Sequence, residues 1–334
     1  MEKIKSKLGI GPMSSEVIES VFHYSEKNKI QLMLISSKNQ IDYNGGYVNN
    51  WNTEEYMQFI KRLKEKYPNS EVLICRDHCG PGFNGNFDIS DTYNTIKSDI
   101  ENGFDLIHID FCHFKGTKEE MLLESKKAIE YCKSLNPKIA IEIGTDENTG
   151  KFYSSPKEII KDLNYFLDFV NPDFYVVQTG SLVMEINQIG SFNKEFVEKI
   201  HEILSERNVK LKEHNADYLN KEEIIKRENI VDAVNIAPQL GVVQTQILIQ
   251  KCLQYGINFE SFLKKSYYSK KWEKWLNKNT KQNKFLCALI AGHYNFSSKE
   301  YSELVSKINK YEDFNIFVKS EIYKLLDLYC NNLK

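Results

Sequence analysis

The chain has 334 residues, 41% of them hydrophobic and 27% charged, with a formal net charge of −2. That balance supports a packed core and excludes wholesale disorder, and it gives no electrostatic ground for nucleic acid or an anionic membrane as the partner. No segment approaches the roughly 20 apolar residues that span a bilayer. The seven cysteines are dispersed with no Cys-x-x-Cys pair, a pattern that suits reduced thiols in a cytoplasm better than a disulfide framework.

Short apolar runs follow one another along the chain: Gly9-Ile10-Gly11, Gln31–Ile35, Glu71–Cys75, Leu106–Ile109, Ile139–Ile143, Phe174–Val177, Val209–Leu211 and Ala233–Ala237. Runs this short and this rich in Ile, Val and Leu read as parallel strands covered on both faces. Helical patterns separate them: Glu16–Asn28, Thr53–Tyr67 with Thr53 as the expected N-cap, Thr92–Asn102, Lys118–Leu135, Pro156–Val170, Asn193–Arg207 and Lys221–Glu228. Eight strand–helix units at this length predict an α/β fold, a (β/α)8 TIM barrel. The barrel is expected over residues 1–250. Beyond it, Phe259–Asn277 and Phe285–Lys334 read as wholly helical, so 251–334 is expected as a C-terminal helical extension packed on the barrel.

Chemistry in such a barrel lies at the C-terminal ends of the strands. The residues found there are Ser36 to Gln40 and "YNGGY" after the second run, Asp77-His78 after the third and Asp110 after the fourth. The fifth carries Glu142, Asp146 and Glu147, the sixth Gln178 to Ser181, the seventh Glu213-His214-Asn215 and Asp217, and the eighth Asn235. Acids, imidazoles and amides converging on one mouth suit a polyol and a divalent metal. His78 and His214, with a carboxylate from Glu142 or Asp146, make a three-ligand site with open positions for a divalent metal. An ion there would polarise a ketone or stabilise an enediolate, while Asp77, with Asp110, Asp146 or Asp217 as a further acid, would move a proton at a hydroxyl.

Asn39 and Gln40 offer donors and acceptors to hydroxyls, and Gly45-Gly46 permits close backbone approach to a ligand. Gln178 and Ser181 complete the expected substrate contacts. His108 faces the same side of its strand as Asp110 and is read as a buried layer residue. His23, His113, His201 and His293 are read as structural, and Cys75, Cys79 and Cys112 as packing thiols.

Taken together, "SSKNQIDYNGGY", "RDHCGP", "LIHIDFC", "EIGTDENTG", "VVQTGS", "KEHNADY" and "VNIAPQLG" resemble the tagatose-bisphosphate aldolase accessory-subunit family. That family sits within the metal-dependent, class II ketose-bisphosphate aldolase group. The resemblance runs from about residue 9 to 240 and implies a TIM barrel acting on a ketohexose phosphate such as tagatose or fructose phosphate. It implies Asp77 as acid/base, His78 and His214 as zinc ligands and Asn235 as a substrate contact. One position departs: class II aldolases carry a further histidine ligand after the sixth strand, where this chain has Gln178-Thr179-Gly180. The resemblance implies either a ketose-phosphate 4-epimerase or aldolase-like enzyme, or a non-catalytic subunit that stabilises an aldolase partner. A homo-oligomer is expected.

Overall fold

The computed structural model describes residues 4–152, 155–278, 280 and 282–333. Met1 and Lys334, the outer limits expected for barrel and extension, lie outside them. The barrel strands are β1 (Leu8–Ile10), β2 (Gln31–Ser37), β3 (Glu71–Cys79), β4 (Leu106–Ile109), β5 (Ala140–Gly144) and β6 (Phe174–Val176), then β9 (Lys210–Glu213) and β10 (Ala233–Ile236). Between β6 and β9 the chain adds a small antiparallel hairpin, β7 (Val183–Met184) with β8 (Asn187–Gln188), that no apolar run announced. The eight barrel strands close in the order β1-β10-β9-β6-β5-β4-β3-β2, every neighbour parallel. The expected TIM barrel is therefore present.

The intervening helices are α1 (Ser15–Asn28), α2 (Thr53–Lys66), α3 (Ile89–Glu101), α4 (Lys118–Leu135), α5 (Pro156–Leu167), α6 (Lys194–Ser205), α7 (Lys221–Ile225) and α8 (Pro238–Gln254). Their starts follow from capping chemistry. Ser14 accepts the backbone N–H of Val17 at α1, and Thr117 and Glu120 form a reciprocal capping box at α4. At α2 the cap is Asn52, paired with Glu55, rather than Thr53. Thr53 is buried as the first helical residue, and the Asn carboxamide one place earlier takes the free N–H of Glu55.

The extension comprises α9 (Glu260–Tyr268), α10 (Lys284–Ala291), α11 (Lys299–Ile308) and α12 (Phe314–Cys330), with short 3-10 turns at Glu273–Trp275 and Gly292–Asn295. The single helix expected over 259–277 thus breaks after Tyr268. Trp272 folds back to stack on Tyr267, with ring centroids 5.7 Å apart. α12 lies in the outer layer of the barrel: Tyr24 on α1 donates to Asp327 at 2.6 Å, and Tyr329 donates to the Ala216 carbonyl just past β9. One hydrophobic cluster runs from Ile10 and Val21 in the barrel to Phe314, Val318 and Leu326 in α12. Among the described residues no helix is long and apolar enough to cross a membrane.

The barrel interior has a separate apolar plug built from Met33, Cys75, Leu106, Ala140, Phe174 and Ala233. Side chains two apart on a strand share a face. The next inward position after Cys75 is Asp77, after Leu106 His108, after Ala140 Glu142, and after Ala233 Asn235. The interior therefore turns from apolar to ionisable over one step along the strands.

Candidate active site and metal centre

The site begins with an irregularity in β3. Arg76 pairs with Ile107 and Cys79 with Ile109, so β3 spends three residues where β4 spends two. The extra residue makes a bulge, and His78 takes a left-handed backbone conformation with φ +46°. A non-glycine residue there costs on the order of 1–2 kcal/mol. The result is that two consecutive side chains, Asp77 and His78, both reach the barrel interior. Arg76 before them points outward, its guanidinium buried on the carboxylate of Asp99 in α3 at 2.6 and 2.7 Å.

At the mouth, His78 Nε2 and His214 Nδ1 face each other at 3.2 Å. The remaining nitrogen of each ring is committed: His78 Nδ1 lies 2.7 Å from Asp110 Oδ2, and His214 Nε2 lies 3.0 Å from Glu142 Oε1. Ring N–H groups donating to those carboxylates leave two lone pairs pointing at one another. Such an arrangement calls for a positive charge between them, either a shared proton or a metal ion. Two nitrogens on a tetrahedral ion with bonds of about 2.05 Å sit roughly 3.3 Å apart, close to what is found here. Carboxylates behind the imidazoles are the usual means of orienting metal-binding histidines.

His108 joins this cluster from β4. Its Nε2 donates to the Gly144 carbonyl at 2.9 Å, and its Nδ1 accepts the His78 backbone N–H at 3.2 Å. Asp77 completes it, with Oδ1 3.6 Å from His108 Nδ1 and 3.7 Å from His214 Nδ1. That oxygen is buried and has no hydrogen-bond partner. Asp77, His78, His108 and His214 each present one ligand atom, all within 4.8 Å of one another. The donor set fits a divalent cation: nitrogen and oxygen ligands, an orphaned carboxylate oxygen, and orienting groups behind the rings. Gln178 stands after β6, and the third imidazole of the cluster is His108 of β4, both of whose ring nitrogens also meet backbone groups. His108 is fully buried, as expected of a layer residue, and its place two residues before Asp110 on the same face is what brings it beside the cluster.

Charge and burial oppose each other throughout the site. Burial would raise the Asp77 carboxyl, yet His78, His214 and His108 outweigh it and hold it well below the usual carboxylate range. Burial works against charge on His78, but Asp77 and Asp110 push its pKa up to about 9. For His214 burial dominates and takes the ring down to about 4. Asp110 is held at about 2, burial being overcome by the hydrogen bond from His78 and the nearby imidazoles. Glu142 is likewise held at about 2 against burial, chiefly by Lys212, whose Nζ lies 2.6 Å from Oε2.

The other expected site residues are distributed as follows. Glu142 stands behind His214 and bridges it to the buried Lys212, one layer below the open face of the cluster. Asp110 also receives Thr145 Oγ1 at 2.9 Å and the Cys112 N–H at 3.1 Å, so it is an orienting group with both oxygens engaged. Asp146 is buried and accepts the His214 N–H at 3.2 Å and the Ser181 hydroxyl at 3.3 Å. Ser181 also reaches the His214 carbonyl at 3.1 Å, which ties both residues to the β9 end. Asp217 accepts the N–H groups of Ala237 and Gln239 and closes the start of α8.

Gln178 is half-buried directly after β6. Asn235 is 4% exposed, and neither its oxygen nor its nitrogen has a partner. It faces Gly9 on β1, where a Cβ would lie 2.1 Å from Asn235 Oδ1, so only glycine leaves room for that amide. In the β2–α2 loop, Gln40 is buried and accepts the Ser37 N–H at 2.8 Å, and Asn39 donates to the Phe83 carbonyl at 2.6 Å. Gly45 has φ +101°, as a turn requires. A Cβ on Gly46 would strike the Gln40 carbonyl at 2.1 Å. The close approach read from Gly45-Gly46 is therefore made, at Gly46, by the loop's own backbone.

A closed parallel barrel whose mouth gathers three imidazoles and a free carboxylate is a TIM barrel with a candidate metal centre. More particularly, residues 4–142 match the family described as D-tagatose-1,6-bisphosphate aldolase subunit GatZ/KbaZ-like, which bears out the resemblance over that stretch. Among solved structures, a probable tagatose 6 phosphate kinase from Sinorhizobium meliloti 1021 is similar over 98% of this chain and 100% of that one, with TM-score 0.81 and 14% identity. The fructose-bisphosphate aldolase of Campylobacter jejuni aligns over 98% of this chain and 89% of its own, with TM-score 0.65 and 12% identity. The YdjI aldolase of Escherichia coli K12 covers 92% of each chain, with TM-score 0.54 and 14% identity. At these identities the likeness is one of fold.

Proposed function

We propose that this protein is a zinc-dependent enzyme of the cytoplasm that acts on a ketohexose phosphate such as tagatose or fructose phosphate, working at C3–C4 by retro-aldol and aldol chemistry or by C4 epimerisation. The observation that carries the reading is the unpartnered Asp77 oxygen beside two ring nitrogens that face each other at 3.2 Å. His78 and His214 would hold the ion, with His108 or Asp77 as a further ligand. When bound, such an ion supplies Lewis-acid stabilisation of charge that develops on a ketose oxygen.

The chain's own residues have distinct tasks. Asp77, kept ionised, is placed to accept the proton of the C4 hydroxyl as the C3–C4 bond opens and to return it on closure. Asp110 and Glu142 fix the two imidazoles in the tautomers that leave Nε2 and Nδ1 free. Asn235 offers an unspent amide to substrate hydroxyls, and Gln178 stands after β6, two strands along the barrel. Inversion at C4 then needs only that the released aldehyde present its other face before the bond re-forms.

A second reading has its own support, since the matched family is described as an aldolase subunit: a partner that stabilises a separate catalytic aldolase. Incubating the purified, zinc-loaded chain alone with fructose and tagatose phosphates, and following C4 stereochemistry and triose release, separates the two. Epimer or triose formed by the wild type and not by Asp77→Asn supports the enzyme. Neither product, together with a partner aldolase that survives longer in its presence, supports the subunit.

A further inference from the structure

A second cluster of metal-binding side chains lies at the rim of the same mouth. Cys112 and His113 occupy the turn after β4, and Glu147 lies in the loop after β5. The thiol, an imidazole nitrogen and a carboxylate oxygen of these three residues lie within 4.8 Å of one another. His113 Nε2 and Glu147 Oε1 are 3.4 Å apart, longer than a good charge-assisted hydrogen bond and close to the spacing of two ligands on one small cation. The Cys112 N–H donates to Asp110, which holds this turn to the orienting shell of His78.

The two clusters share a wall. Phe83 stacks on His78, ring centroids 4.8 Å apart, and its ring also meets that of His113 at 4.7 Å. No residue of the rim cluster belongs to the central one. The donor types differ as well: the central cluster is imidazole and carboxylate, whereas the rim adds a sulfur. Thiolate, imidazole and carboxylate together select a borderline-soft divalent ion of the zinc type over calcium or magnesium.

We propose that Cys112, His113 and Glu147 form a second divalent-metal site, separate from the central cluster, that ties the β4 and β5 loops together at the rim of the barrel. Binding converts the Cys112 thiol to a metal thiolate and releases its proton to solvent, with no change of oxidation state. His113 and Glu147 are 37% and 38% exposed, so the ion enters from solvent and keeps at least one position open to water or to an anionic group of a ligand at the mouth. The closed ring of loop, metal and loop also fixes the turn from which His113 meets Phe83.

Cobalt titration of the chelator-treated full chain tests this, because sulfur ligation gives a near-ultraviolet thiolate-to-cobalt charge-transfer band and nitrogen and oxygen ligation does not. Two equivalents with the band are expected. Cys112→Ser and, independently, His113→Ala should each lose the band or most of it and drop one equivalent, while the His78→Ala/His214→Ala pair should lose the other equivalent and keep the band. One equivalent with the band preserved sustains the rim site and removes the central one. One equivalent without the band, or a full band in Cys112→Ser, overturns the rim site and leaves the central one standing. No bound cobalt overturns both.

Discussion

The barrel interior holds two layers that begin from the same strands and differ by one inward step. Cys75, Leu106, Ala140, Phe174 and Ala233 form the apolar plug. Asp77, His108, Glu142 and Asn235 follow them on the same faces and form the floor and wall of the mouth, with Lys212 and His214 from β9. The plug stabilises by burying apolar area without polar cost. The mouth layer buries charges and leaves three polar atoms, Asp77 Oδ1 and both ends of the Asn235 amide, without partners. A natural fold retains such groups where something else meets them. The contrast separates a layer built for stability from one built for chemistry.

The largest effect should come from the mouth. Removing both facing rings with His78→Ala/His214→Ala should abolish central metal binding and cut turnover on the order of a thousandfold or more, since several kcal/mol of charge stabilisation go with the ion. Elemental analysis and progress curves would show it, with far-UV circular dichroism unchanged. Full metal content in that variant would dissolve the distinction between the layers.

Lys212→Met strikes the seam between them. It leaves Glu142 buried without its cation, which should destabilise the fold by about 3–5 kcal/mol in denaturant melts. Metal affinity should fall roughly 10–100-fold as Glu142 loses its hold on His214. The double variant Lys212→Met/Glu142→Gln should recover much of the stability and none of the affinity; recovery of both would make the ion pair mere packing.

Phe174→Ala does the reverse. A large-to-small change in the plug should cost about 3–5 kcal/mol of stability and leave the stoichiometry of bound metal at the mouth intact. Loss of the metal at temperatures where the barrel is still folded would show that the two layers are not separable.

The smallest expected effect concerns Asp217, outside both layers. Burial raises its folded pKa to about 7, above an ordinary carboxylate value near 3.8. The folded state then holds the proton more tightly, so this contribution is complete below about pH 4 and is lost as pH rises through 7. Asp217→Asn keeps an acceptor for the Ala237 and Gln239 N–H groups and should show a flatter stability–pH curve than the wild type between those limits. Identical slopes for the two proteins would remove Asp217 from the account.

Much of this was legible in the sequence. The eight runs and their spacing settled the barrel because buried parallel strands cannot hide their apolar character, and Lys118–Leu135 has helix limits that match the structure residue for residue. His78 and His214 could be singled out because imidazoles are scarce and each comes shortly after an apolar run. The hairpin at Val183–Gln188 could not be seen, since two-residue strands carry no periodicity. Nor could the break after Tyr268, which turns on Trp272 stacking back upon Tyr267.

The sequence by itself determined the class of fold and which residue types arrive at the mouth, because strand parity and strand order follow from the chain's own pattern. Only the tertiary structure decided what each acid there does. The bulge at His78 turns two consecutive side chains inward, which no alternating pattern foretells. Asp110 and Glu142 are claimed by the outer nitrogens of the histidines, Asp146 by Ser181 and a backbone N–H, and Asp217 by the start of α8. Asp77 keeps a buried oxygen unspent. Hydrogen-bond partners come from residues far apart in the chain, so the role of a carboxylate is set by the company that folding brings to it.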